Sequence, residues 1–258
     1  MRDQLYRIIK LNKIPKRIIS LVPSQTELLC DLGLETHVVG VTKFCVHPHH
    51  IKTTAKVVGG TKHIHIEKIK ALQPDIILCN KEENTENIVN ACEQIAPVHV
   101  SDIFTLEDSL ELIKQYGVLF KKEEYASNLI SDIHNEHAVF KRYIEHKLTY
   151  KTIYFIWKSP WMIAGNQTFT NYLLDLNKFE NYYLSELRYP EIELKENKEV
   201  DLVLLSSEPY PFKEAHKKEL KIFYPNAKIL LVDGEMFSWY GSRLKKAFVY
   251  FKSFREHL

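Results

Sequence analysis

Five histidines and a cysteine cluster in the first third of the chain. They occur in the stretches CVHPHH and HIH, which contain Cys45 and the histidines His47, His49, His50, His63 and His65. Imidazole nitrogen and thiolate sulfur are ligands that suit zinc, copper and nickel. No CxxC or HxxxH spacing is present, so loops on the protein surface would explain the same residues. One hypothesis is therefore direct binding of a transition metal, zinc or cobalt, by these five histidines.

Aromatic residues gather in two short stretches of the second half. WKSPWMIAG carries Trp157 and Trp161, and EMFSWYGSR carries Phe237, Trp239, Tyr240 and Arg243. Each stretch directly follows an apolar run typical of a strand, and loops at the carboxyl edge of a parallel sheet form ligand crevices. The alternative is that the aromatic rings pack on the core. We favour a ligand-binding role, because the following helix already has an apolar stripe of its own.

The signatures of phosphate-binding loops and of common hydrolases are missing. GxxxxGK[ST], GxGxxG, GxSxG and HExxH do not occur, so we expect a protein that is not an enzyme. An enzyme that acts on a corrinoid, with His47 as general acid or base, is the remaining catalytic alternative. The 35 lysines and arginines nearly balance the 33 acidic residues, which argues against nucleic-acid binding.

The opening stretch MRDQLYRIIKLNKIPKRII interleaves charges with its apolar residues. It has neither the apolar h-region nor the small-residue cleavage site of a signal peptide. The four cysteines form no CxxC pair and indicate reduced, buried thiols. We therefore expect a cytoplasmic protein without a membrane span, or a periplasmic or lipid-anchored one if the true start lies upstream.

Strand-like and helix-like stretches alternate along the first hundred residues. KRIISLV and HVVGVT read as strands, and the intervening helix is expected to begin at a Ser24 cap and to end near Gly33. A helix from Ile66 to Leu72 precedes a strand at Ile76–Cys79, and ENTENIVNACEQIAPVHVS repeats the scheme. This order predicts an α/β lobe with a mostly parallel sheet.

One long helix is predicted over residues 121–148, where apolar residues recur at helical spacing, starting with Tyr125. It would be about 40 Å long. Three further strands follow, in KTIYFIW, VDLVLLS and AKILLVD. The predicted organisation is a lobe over residues 1–120, a connecting helix over 121–148 and a second α/β lobe over 149–258.

The ordered stretches resemble a known family. RIISLVPSQTELLCDLG, VVGVTKFCVHP and VVGGTKHIHIEKIKALQPDIILCN are similar to the first lobe of substrate-binding proteins of ABC importers. DGEMFSWYGSRL and YPEIELKENKEVDLVLLS are similar to the second lobe. The resemblance is to the helical-backbone class (class III), which binds vitamin B12, heme and siderophores, and is nearest to the B12-binding members. It implies two Rossmann-like lobes joined by a rigid helix.

The resemblance also implies functional residues. A cobalamin-like corrinoid or another metal chelate would lie between the lobes, against Phe44 and His47 of lobe one and Trp239 and Arg243 of lobe two. No further cofactor is implied, and a monomer is expected. Glutamates on helices would dock onto an ABC permease, and Glu67 and Glu193 occupy the matching positions.

Two stretches depart from the family pattern. Asn177-Lys178 replaces paired glycines, and Thr61-Lys62-His63 stands where a tryptophan often follows the two glycines. These departures leave open whether the chelate is a corrinoid, a heme or a siderophore.

Overall fold

The computed structural model describes residues 1–258, which form two compact units. The first contains residues 1–134 together with Tyr240–Arg243, and the second contains residues 135–239 and 244–258. Each unit is built on a five-stranded sheet. The predicted α/β class with two mostly parallel sheets is thereby confirmed, while the division between the units falls inside the long helix.

The sheet of the first unit is entirely parallel and has the order β3-β2-β1-β4-β5. Its strands are β1 (Ile18–Ser20), β2 (Val38–Val41), β3 (Lys56–Val57), β4 (Ile76–Asn80) and β5 (Val98–Ser101). Its helices are α1 (Pro23–Asp31), α2 (Ile51–Thr54), α3 (Ile66–Ala71), α4 (Glu86–Glu93) and α5 (Leu106–Phe120). Every residue of the central strands β1 and β4 is buried, as is usual for parallel strands with crossover connections.

Helix α1 does not begin as predicted. Its N-cap is Val22, Pro23 occupies the first turn, and no side chain caps the helix. Ser24 therefore lies inside the helix, because proline already fixes the backbone angle that the first turn needs. The predicted end is correct: Gly33 follows with a φ of 70°, a conformation that favours glycine.

Helix α6 (Glu123–Ile144) has 22 residues and is about 33 Å long. Its residues up to His134 belong to the first unit and those from Asn135 to the second. It starts later than predicted because Lys121 adopts a left-handed conformation that ends α5. Tyr125 is not on the buried face, since it is 53% exposed with the Lys122 ammonium 4.8 Å from its ring.

The second unit has strands β6 (Tyr150–Trp157), β7 (Met162–Ile163), β8 (Phe179–Asn181), β9 (Leu202–Ser206) and β10 (Lys228–Val232). The order is β10-β9-β6, with β7 antiparallel to the end of β6 and β8 parallel to its start. The helices are α7 (Phe169–Leu176), α8 (Glu214–Lys221), α9 (Gly234–Ser238) and α10 (Arg243–Glu256). The strands predicted in KTIYFIW, VDLVLLS and AKILLVD are therefore present.

The first residues of the chain cover the outer edge of β5. The Asp3 carboxylate accepts hydrogen bonds from the Val100 amide at 3.2 Å and from Arg7 Nε at 2.8 Å. Gln4 Oε1 accepts a hydrogen bond from the Asp102 amide at 3.2 Å. An edge strand otherwise presents unpaired backbone groups to other chains, so these contacts protect the sheet.

A capping box begins α5 and generates a stability prediction. Thr105 Oγ1 accepts a hydrogen bond from the Asp108 amide, and the Asp108 carboxylate accepts one from the Thr105 amide. We expect Thr105→Ala to lower the free energy of unfolding by about 1 kcal/mol, because a helix amide loses its acceptor. Urea denaturation measures this change. Thr149→Ala, at an exposed position outside the helices, is the control; equal losses in both variants would contradict the assignment.

Candidate functional site

The carboxyl ends of β2 and β3 open into a groove of about 500 Å³ in the first unit. Phe44, directly after β2, lines this groove with a side chain that is 49% exposed. The other lining residues include Gly59 and Gly60 and five basic side chains, namely Lys43, Lys62, His63, His65 and Lys68. The groove thus combines an exposed aromatic ring with positive charge.

Two glycines set the shape of this groove. Gly59 has a φ of 134°, and a Cβ there would lie 2.5 Å from the His63 carbonyl oxygen. The Gly60 amide donates to the same oxygen at 2.6 Å, so the loop turns back on itself. A Cβ at Gly60 would lie 3.2 Å from the Phe44 ring. Gly59 therefore requires glycine, and a side chain at Gly60 would press on the Phe44 ring.

The histidines predicted as metal ligands lie in separate places. His47 and His49 have ring centroids 5.4 Å apart, and His50 Nε2 lies 2.7 Å from Glu35 Oε1. His63 and His65 line the groove instead. No three His, Cys, Asp or Glu side chains are placed to hold one metal ion.

Cys45 is a buried thiol next to this group. Its Sγ lies 3.1 Å from Thr26 Oγ1 and 3.2 Å from Thr42 Oγ1. Burial raises the pKa of the Cys45 thiol, which keeps it protonated at neutral pH. A protonated thiol is a poor metal ligand, so Cys45 does not extend the histidine set.

Trp157 and Trp161 have different surroundings in the second unit. Trp157 ends β6, is 39% exposed and meets Tyr210 edge-on at 5.6 Å. Trp161 is half-buried and stacks on Phe212 at 6.0 Å. Of the two predicted ligand contacts, only Trp157 presents a large exposed ring. Tyr210 was missed by the sequence reasoning, although it follows β9 in the same way.

Phe237 lies in the hydrophobic core. It has no exposed surface and packs against Tyr154 at 5.4 Å and Phe251 at 4.8 Å. The short helix α9 causes this placement, because its single turn directs Phe237 toward α10. The alternative considered from the sequence, packing of this ring on the core, therefore describes Phe237 in the structure.

Trp239 is buried in the second unit and held by a carboxylate that the sequence reasoning missed. Its Nε1 donates to Glu208 Oε1 at 2.7 Å, and Ser238 Oγ donates to the same oxygen at 3.0 Å. Burial raises the pKa of Glu208, because its charged form is poorly solvated there. The pair fixes the loop after β9 to the end of α9.

Residues 240–243 belong to the first unit, although they follow the strands of the second. The Tyr240 hydroxyl lies 3.0 Å from Gln25 Nε2, and the Gly241 amide donates to Ser109 Oγ at 2.9 Å. Arg243 Nε donates to Glu27 Oε2 at 2.8 Å, and both side chains are about 5% exposed. The first unit therefore engages Tyr240 and Arg243, which the resemblance had assigned to lobe two.

The two predicted docking glutamates are both exposed. Glu67 lies in the first turn of α3, with Lys70 Nζ 2.9 Å away. Glu193 lies in an irregular segment between β8 and β9, 3.4 Å from Lys195 Nζ, and is therefore not on a helix. None of the helices in the structure has the length and apolar character needed to cross a bilayer.

The raised pKa of Glu208 predicts a pH-dependent stability. Below its ordinary pKa the Glu208 carboxyl is protonated whether the chain is folded or unfolded. Between the ordinary and the raised pKa the unfolded chain gains by releasing this proton, whereas the folded protein keeps it because ionisation would bury a charge. The free energy of unfolding should therefore fall as pH rises through the raised folded-state pKa. Glu208→Gln keeps an acceptor oxygen but cannot ionise, so its stability relative to wild type should increase as the pH rises from the ordinary range of a Glu carboxyl through the raised folded-state pKa.

Thermal unfolding at a series of pH values measures this difference. Glu256→Gln, at an exposed position on α10, is the matched control and should show no such trend. A constant difference between Glu208→Gln and wild type across the range would show that Glu208 does not titrate abnormally.

Comparison with known proteins places the chain in a family. A profile described as periplasmic binding protein matches residues 18–209. The ABC transporter substrate-binding lipoprotein YvrC of Bacillus subtilis, itself uncharacterized, is 31% identical over 135 residues, which are 48% of this chain and 42% of that protein. The vitamin B12-binding protein of Pectobacterium atrosepticum is 25% identical over 189 residues, 69% of this chain and 66% of that protein. These matches span less than two thirds of either relative.

A solved structure shows the same fold. The periplasmic heme binding protein from Pseudomonas aeruginosa superposes with a TM-score of 0.80 at 19% identity, over 93% of this chain and 92% of that one. The fold agrees with the family profile, which covers most of the chain. Its relatives of class III are non-enzymatic solute-binding proteins. The chain therefore belongs to the periplasmic binding protein family.

Proposed function

We propose that this protein is the substrate-binding component of an ABC importer and that its ligand is a large metal chelate, a cobalamin-like corrinoid or another metal-chelate ligand. Family membership supports solute binding. The names of the relatives, an ABC transporter substrate-binding lipoprotein, a vitamin B12-binding protein and a heme binding protein, support the importer and the chelate. Vitamin B12 and heme share a broad, flat macrocycle around a metal ion.

The exposed ring of Phe44 is the observation that carries the proposal. A phenylalanine that is 49% exposed gains apolar burial when a flat ligand covers it. The loop that presents it is well fixed: the Phe44 amide donates to Thr42 Oγ1 at 3.3 Å, and the Lys43 amide donates to the Gly59 carbonyl at 2.8 Å. A ring held in place before binding loses little conformational entropy on binding.

The other predicted contact residues take two roles in the proposal. His47, half-buried beside Phe44, and the exposed Trp157 of the second unit remain proposed ligand contacts. Phe237, Trp239, Tyr240 and Arg243 are buried among protein groups, and we propose that they position their loops. Trp161 supports the Trp157 loop by stacking on Phe212.

The proposal places the protein outside the cytoplasmic membrane. This follows the second of the two locations expected from the sequence, periplasmic or lipid-anchored, and not the cytoplasmic one. Its support is that one relative is named a lipoprotein and another is named periplasmic.

Ligand binding tests the proposal directly. Cyanocobalamin and hemin, added to the purified protein, should give saturable changes in absorbance and tryptophan fluorescence for at least one of the two. Phe44→Ala should weaken that binding about tenfold, or about 1.4 kcal/mol, because the ligand loses a stacking surface.

Tyr125→Ala is the matched control for this titration. Tyr125 is also an exposed aromatic residue with a lysine ammonium near its ring, at 4.8 Å compared with 4.9 Å for Phe44. Equal effects of the two substitutions would remove Phe44 from the site, and a folded protein that binds neither chelate would refute the proposed function.

Docking onto a permease through Glu67 and Glu193 is part of the proposal. Both carboxylates are more than 80% exposed, so arginines of a partner can reach them. In cells whose corrinoid uptake depends on this protein, Glu67→Arg and Glu193→Arg should each reduce uptake of labelled cyanocobalamin at least tenfold, without changing its affinity for the purified protein. Glu196→Arg, at a neighbouring exposed position, is the control; uptake equal to that of the control would exclude docking through these residues.

A further inference from the structure

The charged residues that line the groove beside Phe44 are lysines, and all of them are positive. Three lysines and two histidines line it, and no aspartate or glutamate does. The whole chain, in contrast, has 35 basic residues for 33 acidic residues. The positive charge of the groove is therefore a local feature and not a property of the protein surface in general.

Lys43 and Lys68 of this groove differ from the nearby Lys70 in whether a carboxylate pairs with them. Lys70, two residues after Lys68 on α3, forms an ion pair with Glu67 at 2.9 Å. Lys43 and Lys68 have no carboxylate within ion-pair distance; the Lys43 ammonium lies 4.9 Å from the Phe44 ring centroid. Lys62 Nζ donates to the Glu82 carbonyl oxygen at 2.9 Å, which fixes its direction. An ammonium group without a carboxylate partner, as at Lys43 and Lys68, favours an incoming anion.

The backbone holds these charges next to the aromatic ring. The tight turn at Gly59 and Gly60 brings Lys62 and His63 back toward Phe44. A Cβ at Gly60 would lie 3.6 Å from Lys43 Cε, so the Lys43 side chain passes directly over this glycine. The lysine ammonium groups and the Phe44 ring are therefore close together. A flat ligand that stacks on the ring would meet the ammonium groups at its edge.

We propose that the chelate bound by this protein carries acidic groups on its periphery, and that Lys43 and Lys68, with Lys62 and His63, bind them while Phe44 stacks on its ring. This inference rests on the proposed function. Charge-assisted hydrogen bonds from lysines to carboxylates are stronger than those to amides. The groove therefore prefers a macrocycle with free carboxylates, such as the propionates of a heme or the acid side chains of a corrinoid, over one whose side chains are all amides.

Hemin and its dimethyl ester test the inference, because they share ring and metal and differ only in two carboxylates. We expect wild-type protein to bind hemin at least tenfold more tightly than the ester. The double variant Lys43→Met/Lys68→Met should lose most of this preference by binding hemin more weakly, with little change for the ester. Lys114→Met, at an exposed position on α5, should behave like wild type.

The outcomes separate this inference from the proposed function. Equal affinity of wild type for hemin and its ester would overturn the inference and leave chelate binding intact. Equal weakening of both ligands in the double variant would do the same, since the lysines would then act without the carboxylates. Binding of cyanocobalamin with no binding of hemin would overturn the inference alone, whereas binding of none of the three would overturn both.

Discussion

The buried side-chain amide of Gln25 is the interaction on which the first unit depends. Its Oε1 accepts a hydrogen bond from the Tyr116 hydroxyl at 2.7 Å. Its Nε2 lies 2.7 Å from Ser101 Oγ, 3.0 Å from the Tyr240 hydroxyl and 3.2 Å from the Cys79 carbonyl oxygen. A buried amide is stable only when its polar atoms are satisfied, so this one residue fixes α1 against β4, β5, α5 and the segment 240–243.

The same segment explains why the aromatic stretch after β10 is not a single surface. Phe237 and Trp239 face groups of the second unit, while Tyr240 and Arg243 are engaged by Gln25 and Glu27 of the first. Neighbours in sequence thus serve different units. Phe44 in one unit and Trp157 in the other are exposed near the carboxyl ends of their strands, and the proposed binding chemistry rests on these rings and on the lysines beside Phe44.

The fold was largely predictable because its main elements carry a strong local signal. The apolar runs of β1, β4, β6, β9 and β10 and the periodicity of α6 are visible in single stretches. Strands β3, β7 and β8 have only two or three residues and, unlike the equally short β1, do not lie in a longer apolar run, so they were missed. The site was less predictable, because its contacts join distant residues: the Glu27–Arg243 pair spans 216 positions, and no local pattern distinguishes it from exposed charges. Phe237 was predicted to contact a ligand but is fully buried, and its neighbours in sequence did not reveal this burial.

The membership of residues 240–243 in the first unit has a consequence for the order in which the protein is made. A ribosome releases residues 1–134 well before Tyr240 emerges, and domains generally fold as they appear. Here Gln25 and Glu27 have to wait for partners that follow them by 215 and 216 positions in the chain. The first unit thus reaches its final packing only after residues 135–239 of the second unit have been made, and it is not a module that could be cut out at the long helix and kept whole.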